Sequence, residues 1–144
     1  MANGKKPRKR LVVVAALILL VAFLLAIALH ETQTVLEFQQ NGQPIAGLVC
    51  EGILPAFKRT TDPAGRIVLD ESAVKQDPTA ILLTLSREGA RILNTTFRVR
   101  PGTQVIYNFS GGGLTKTTIR KWGLITFTDK VVQTPFTLQN PDKL

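Results

Sequence analysis

From Leu11 to Leu29 the chain reads LVVVAALILLVAFLLAIAL, nineteen residues without one polar side chain. At about 1.5 Å per residue a helix of that length spans roughly 28 Å, close to the hydrocarbon thickness of a bilayer. A helix on a soluble domain needs one polar face, and a 144-residue chain has little interior to bury one that is apolar all round. The run predicts a single transmembrane helix over 11–30. Ala26-Ile27-Ala28 has the small-x-small form of a signal-peptidase site, so removal of the segment is the alternative outcome. Its length, and the lack of a Gly or Pro before Leu29, favour retention as an anchor.

The charges divide around this run. Lys5, Lys6, Arg8, Lys9 and Arg10 supply five of the formal +8 within ten residues, with no acid among them. Residues 31–144 hold thirteen basic and ten acidic side chains, so the body carries only +3. Basic residues beside an apolar helix stay on the cytoplasmic side, which orients the helix N-terminus inside and the remaining chain outside. The expected location is thus an inner or plasma membrane with a periplasmic or otherwise extracytoplasmic domain. The bilayer is the first predicted partner, and Leu11 and Leu29 mark the limits of the apolar contact. Nucleic acid is excluded as a partner class, because the body has no basic face interleaved with aromatics.

Beyond the helix the pattern changes to short alternating runs. Val35–Gln40 is followed by the turn signal Asn41-Gly42, and Asp62-Pro63-Ala64-Gly65 precedes the alternating stretch Arg66–Asp70. Leu93, Thr95, Phe97 and Val99 alternate with Asn94, Thr96, Arg98 and Arg100, as a half-buried strand requires. Pro101-Gly102 turns the chain before Val105, Tyr107 and Phe109 repeat the alternation. Residues 70–77 are polar and suit a single helical turn. About seven strands with regularly spaced turns predict an all-β sandwich over 34–132. The predicted organisation is a basic tail over 1–10, the helix over 11–30, a tether over 31–33, the sandwich, and an extension over 133–144.

Asn41-Gly42-Gln43-Pro44-Ile45-Ala46-Gly47, followed by Thr60-Thr61-Asp62-Pro63-Ala64-Gly65-Arg66-Ile67-Val68-Leu69, resembles the carboxypeptidase-regulatory-like, or transthyretin-like, domain. Arg100-Pro101-Gly102 is similar to that family's later Pro-Gly turn, so the resemblance runs over about residues 34–110. It implies an Ig-like, prealbumin-type sandwich of seven strands, used as a structural or adhesive module, with no catalytic residues. The same motifs make sense physically: Gly42 and Gly65 suit tight turns, Pro44 a strand start, and Asp62 a hydrogen bond to turn amides.

Catalytic chemistry finds little support. The one histidine, His30, sits at the helix end, and the one cysteine, Cys50, lies in a strand-like run. No pair of residues suggests a nucleophile with its base, a carboxylate pair across a cleft, or a metal-ligand spacing. The prediction is a non-enzyme without cofactor, metal or small-molecule substrate. Gly111-Gly112-Gly113 lacks the Gly-Lys-[ST] order of a phosphate loop and reads as a hinge. Lys116, Arg120, Lys121 and Trp122, with Phe136 further on, form a basic-aromatic candidate interface. The extension suits an added edge strand, a segment lying along a partner, or disorder.

His30–Gln33 is a tether of four residues, at most about 14 Å when extended. It holds the sandwich against the membrane or against whatever the helix packs on. The expected role is therefore an accessory, structural subunit that stabilises a larger membrane complex of photosynthetic, respiratory or secretion type. The alternative is a stand-alone anchored module that binds a peptide, glycan or surface ligand.

Overall fold

The computed structural model describes residues 7–28, 33–53, 56–75, 79–122, 124–133 and 137–144, with backbone alone at 7–10, 28, 71 and 122. Helix α1 covers Pro7–Ala28, opening on a proline that its first turn tolerates and meeting no later Pro or Gly. Its apolar side chains have no covered face: large residues range from 73% exposed at Leu11 to 50% at Leu25. Among the described residues no helix is long and apolar enough to cross a membrane. The described apolar side chains end at Ile27, and Leu11–Ile27 extends only about 25 Å. The span predicted over 11–30 is thus not met by these residues alone. Leu29, His30 and residues 31–32 of the predicted tether lie outside them. So do Lys5 and Lys6, whereas Arg8, Lys9 and Arg10 fall in the first turns of α1.

Among the described residues ten strands form two sheets. The first joins β1 (Thr34–Gln40), β2 (Gln43–Pro44), β5 (Arg66–Leu69), β8 (Thr103–Ser110), β9 (Gly113–Trp122) and β10 (Ile125–Gln133). The second has the order β4 (Ala56–Thr60), β3 (Val49–Ile53), β6 (Thr79–Arg87), β7 (Ala90–Val99). Strand β1 is central in its sheet. One side is shared by β5 and the β2 hairpin, both antiparallel, while β8 lies parallel on the other. Every other pairing is antiparallel.

Alternation decides the core. Leu36 and Phe38 of β1, Ile67 and Leu69 of β5, and Val105, Tyr107 and Phe109 of β8 point inward from the first sheet. Cys50, Ile81, Leu83, Leu85, Phe97 and Val99 answer from the second. Burying each large side chain contributes about 1.5–3 kcal/mol. Tyr107 joins the layers: its ring stacks on Phe38 (centroids 5.6 Å apart) and meets Phe97 edge-on across the sandwich at 4.3 Å. A register shift between Leu85 and Ser86 buries both Ile92 and Leu93, where strict alternation predicts only Leu93.

The turns follow local chemistry. Asn41-Gly42, Glu88-Gly89 and Gly111-Gly112 each place two residues at positive φ, the type I′ geometry that closes two-residue hairpins. Asp62 Oδ1 accepts the N–H groups of Ala64 and Arg66, both at 2.9 Å, and Gly65 passes tightly beneath β1. At the crossing between sheets, Gly102 N–H donates to Thr34 Oγ1 at 3.1 Å, and Pro101 occupies the turn just before it. The polar stretch after β5 contains one 3₁₀ turn, Glu71–Ala73.

Three readings are corrected. Among the described residues the sandwich has ten strands, not about seven: β9 and β10 form a long hairpin after Ser110, and β2 and β4 are further short strands. Gly111–Gly113 is a hairpin turn leading into β9, not a hinge. The described end of the extension docks on its own sandwich: Gln139 N–H donates to the Ile92 carbonyl at 2.9 Å and Asn140 Nδ2 to that of Arg91 at 2.5 Å. Leu138 and Leu144 pack against the core beside them, and Lys143 pairs with Glu88 at 2.7 Å.

Candidate functional site: the overhanging hairpin and its cleft

Strands β9 and β10 continue past the body of the sandwich. Thr103, the first residue of β8, pairs with Arg120, so β9 runs two residues further before it turns back into β10. Because β1 and β8 are parallel, the tip of this hairpin lies at the end of the sheet where the chain enters β1 at Thr34. There Leu124 is 86% exposed. Strand β10 is exposed at all nine positions, Ile125, Phe127, Val131 and Val132 among them. Its outer edge has no strand beside it among the described residues.

The hairpin also overhangs the second sheet. Register places Lys116, Thr118 and Arg120 on the side of β9 that continues the inward face of β8. With no opposing strand at that distance these positions are polar, and they enclose a cleft of about 350 Å³ with the end of β7. Arg98, Arg100, Lys116 and Arg120 line it together with a single carboxylate, Asp129. Val105 and Phe127 supply an apolar wall. Lys116 Nζ donates to the Arg98 carbonyl at 2.6 Å and fixes the width of the cleft on that side. Burial lowers the Lys116 pKa from its ordinary value. Arg100 and Arg98 lower it further, and Asp129 opposes them.

The predicted interface residues are therefore divided. Lys116 and Arg120 face the cleft, whereas Lys121 belongs to the opposite face of β9 by alternation. Trp122 ends β9 with its backbone alone described, and Phe136 lies outside the described residues. Gly42, Gly65 and Gly102 have positive φ, Asp62 accepts turn amides and Pro101 precedes Gly102 in its turn, whereas Pro44 ends the two-residue β2 instead of starting a strand. Arg98, Arg100, Phe127 and Asp129 were not legible as site residues, since strand alternation alone assigns the two arginines to a solvated face.

Other polar groups serve the fold. Glu37, buried on the outer face of the first sheet, accepts hydrogen bonds from Gln39 at 2.6 Å and from Arg66 and Gln104 at 2.9 Å. Cys50 is a buried free thiol, its pKa pushed up to about 12 by burial, and thus unsuited to nucleophilic work. Among the described residues no three His, Cys, Asp or Glu side chains gather as metal ligands.

No family model matches the chain, and neither a curated protein nor a solved structure is similar to it. The likeness of residues 34–110 to the transthyretin-like domain thus rests on the quoted motifs alone.

Proposed function

We propose that this protein is a non-enzymatic, single-pass membrane subunit whose extracytoplasmic sandwich docks on a larger integral membrane assembly. The observation that carries this reading is the edge of β10, uncovered among the described residues: nine exposed positions that include Ile125, Phe127, Val131 and Val132, starting at the end where the chain enters the sandwich. Natural sheets cover or blunt such edges unless something pairs with them. Here a partner strand can add to the ladder, with Phe127 and Val131 as side-chain anchors. For the anchor, the described helix supplies seventeen apolar residues from Leu11 to Ile27, all exposed but the half-buried Ala26, and the sequence continues apolar through Ala28 and Leu29. The five basic residues before Leu11 argue for an inside N-terminus. The short tether keeps the hairpin tip within reach of a neighbouring membrane protein.

The test is co-purification after mild detergent extraction, read on a native gel. Migration within a larger integral complex, lost on Phe127→Glu while the circular dichroism is kept, supports docking through β10. Migration of the wild-type chain as a free 15.8 kDa species with its detergent overturns it.

A further inference from the structure

We propose that the cleft between β9–β10 and the end of β7 is a binding site for a phosphate group, either on a soluble phosphate ester or on an anionic phospholipid headgroup. This inference goes beyond the docking role and does not depend on it. Four cationic side chains from two separate strands converge there: Arg98 and Arg100 from the end of β7, and Lys116 and Arg120 from β9. Among the described residues Asp129 is the one carboxylate that lines the cleft with them. Placing like charges around one cavity is unfavourable unless an anion offsets them. The Lys116 pKa is lowered chiefly by burial; Asp129 opposes the shift, and Arg100 and Arg98 add smaller contributions to it.

The donor set suits an oxyanion of more than one charge. Guanidinium groups present planar pairs of N–H donors that match phosphate oxygens, and the ammonium of Lys116 adds a compact charge from the side. A volume of about 350 Å³ exceeds what a bare phosphate needs. The excess lies along Val105 and Phe127, where the carbon portion of an ester can rest. The position favours a lipid source. The cleft opens beside the hairpin tip, at the end of the sheet where the chain enters β1, and Leu124 and Ile125 are exposed there. A cationic pocket next to an apolar tip is the arrangement that meets a headgroup and the acyl boundary together.

The experiment uses the full chain labelled with ¹⁵N at arginine side chains. It is studied in zwitterionic detergent and in nanodiscs made of phosphatidylcholine with or without phosphatidylglycerol. Inorganic phosphate and glycerol 3-phosphate are titrated into the detergent sample at constant ionic strength. Saturable shifts of the Arg98 and Arg120 Nε signals assign the site to soluble phosphate esters. Shifts found only in the phosphatidylglycerol discs assign it to the lipid headgroup. Followed at the Nε signal of Arg100, which lines the same cleft and remains in the variant, either result weakens by about tenfold or more in R98Q/R120Q, the loss expected when charge-assisted hydrogen bonds are removed. Both arginines are exposed, so this variant keeps the backbone amide spectrum of the wild type. The proposal is overturned if none of these probes shifts the arginine signals, or if R98Q/R120Q responds as the wild type does.

Discussion

Lys116 Nζ lies 2.6 Å from the carbonyl oxygen of Arg98, and this contact ties the overhanging hairpin of one sheet to the open edge of the other. Strand β7 has a ladder partner on one side only, β6. Its free edge is covered at both ends by the chain itself: Gln139 and Asn140 take the carbonyls of Ile92 and Arg91, and Lys116 takes that of Arg98. Short edge strand β4 carries Lys58 and Arg59, which discourage pairing. Strand β10 carries Asp129 and Lys130 as well, but it is nine residues long and among the described residues no segment of the chain covers its outer edge, which is why docking is proposed there.

Lys116→Met tests the tie. It removes the donor to Arg98 and one cation of the cleft while keeping the aliphatic stem. Global stability falls by about 1 kcal/mol, the usual net worth of one partly exposed hydrogen bond. Amide exchange in β9 and β10 accelerates more than in β1 or β6. Uniform exchange across both sheets would show that the hairpin is held by something else.

Thr61 anchors the loop between β2 and β3. Its Oγ1 accepts the Leu48 N–H at 2.9 Å and donates to the Ile45 carbonyl at 2.7 Å, all in a buried setting. Thr61→Val keeps the shape but leaves both backbone groups unsatisfied, at a cost of about 2–4 kcal/mol in urea unfolding. Thr61→Ser retains both bonds and stays within about 1 kcal/mol of wild type. Equal loss in the two variants would contradict this account.

Gly65 has φ +72°, and a Cβ there would stand 2.5 Å from the Phe38 carbonyl oxygen and 3.0 Å from the Ile45 nitrogen. Both neighbours are backbone, paired through the Ile45 N–H donating to Phe38 at 2.9 Å, so neither can swing aside. Gly65→Ala therefore costs more than about 2 kcal/mol, from the left-handed conformation and the clash together. Gly89→Ala shares the positive φ but meets no atom within 4 Å. It costs about 1 kcal/mol, and the difference between the two thermal midpoints reads the close approach alone.

Tyr107 and Cys50 give the protein an alkaline limit. Burial raises the tyrosine pKa above its ordinary 10, and raises that of the thiol from 9 to about 12. In each case the unfolded chain releases its proton first. Stability is therefore full below pH 9 and declines as pH rises toward 12. Among the described residues the Tyr107 hydroxyl also has no hydrogen-bond partner, so Tyr107→Phe is neutral or stabilising by up to about 1 kcal/mol. The chain has one tyrosine, which makes the titration simple to read. Tyrosinate absorbance rises only with loss of circular dichroism; a reversible rise near pH 10 in the folded protein would contradict the packing.

Much of the inner sandwich was legible because its residues obey local rules. Phe97 and Val99 alternate with charged neighbours, Asn41-Gly42 sets a hairpin, and Asp62 with Gly65 sets a turn. Strand β9 was not, because its inward positions Lys116, Thr118 and Arg120 overhang the second sheet and need no apolar side chain. Period two is invisible when neither face is buried. The parallel pairing of β1 with β8 joins residues nearly seventy positions apart, and nothing local encodes it. The cleft is hidden for the same reason. Arg98 looks like solvated surface until the hairpin, arriving from β8, folds over it.

The membrane-anchored subunit is tested most directly by the intact mass of the native protein recovered from membranes after alkaline carbonate extraction. The account predicts a chain of 15.8 kDa, retained in the pellet, with Lys5–Arg10 and the whole apolar run still attached. A carbonate-soluble species beginning at Leu29 would contradict it, leaving a released sandwich without an anchor.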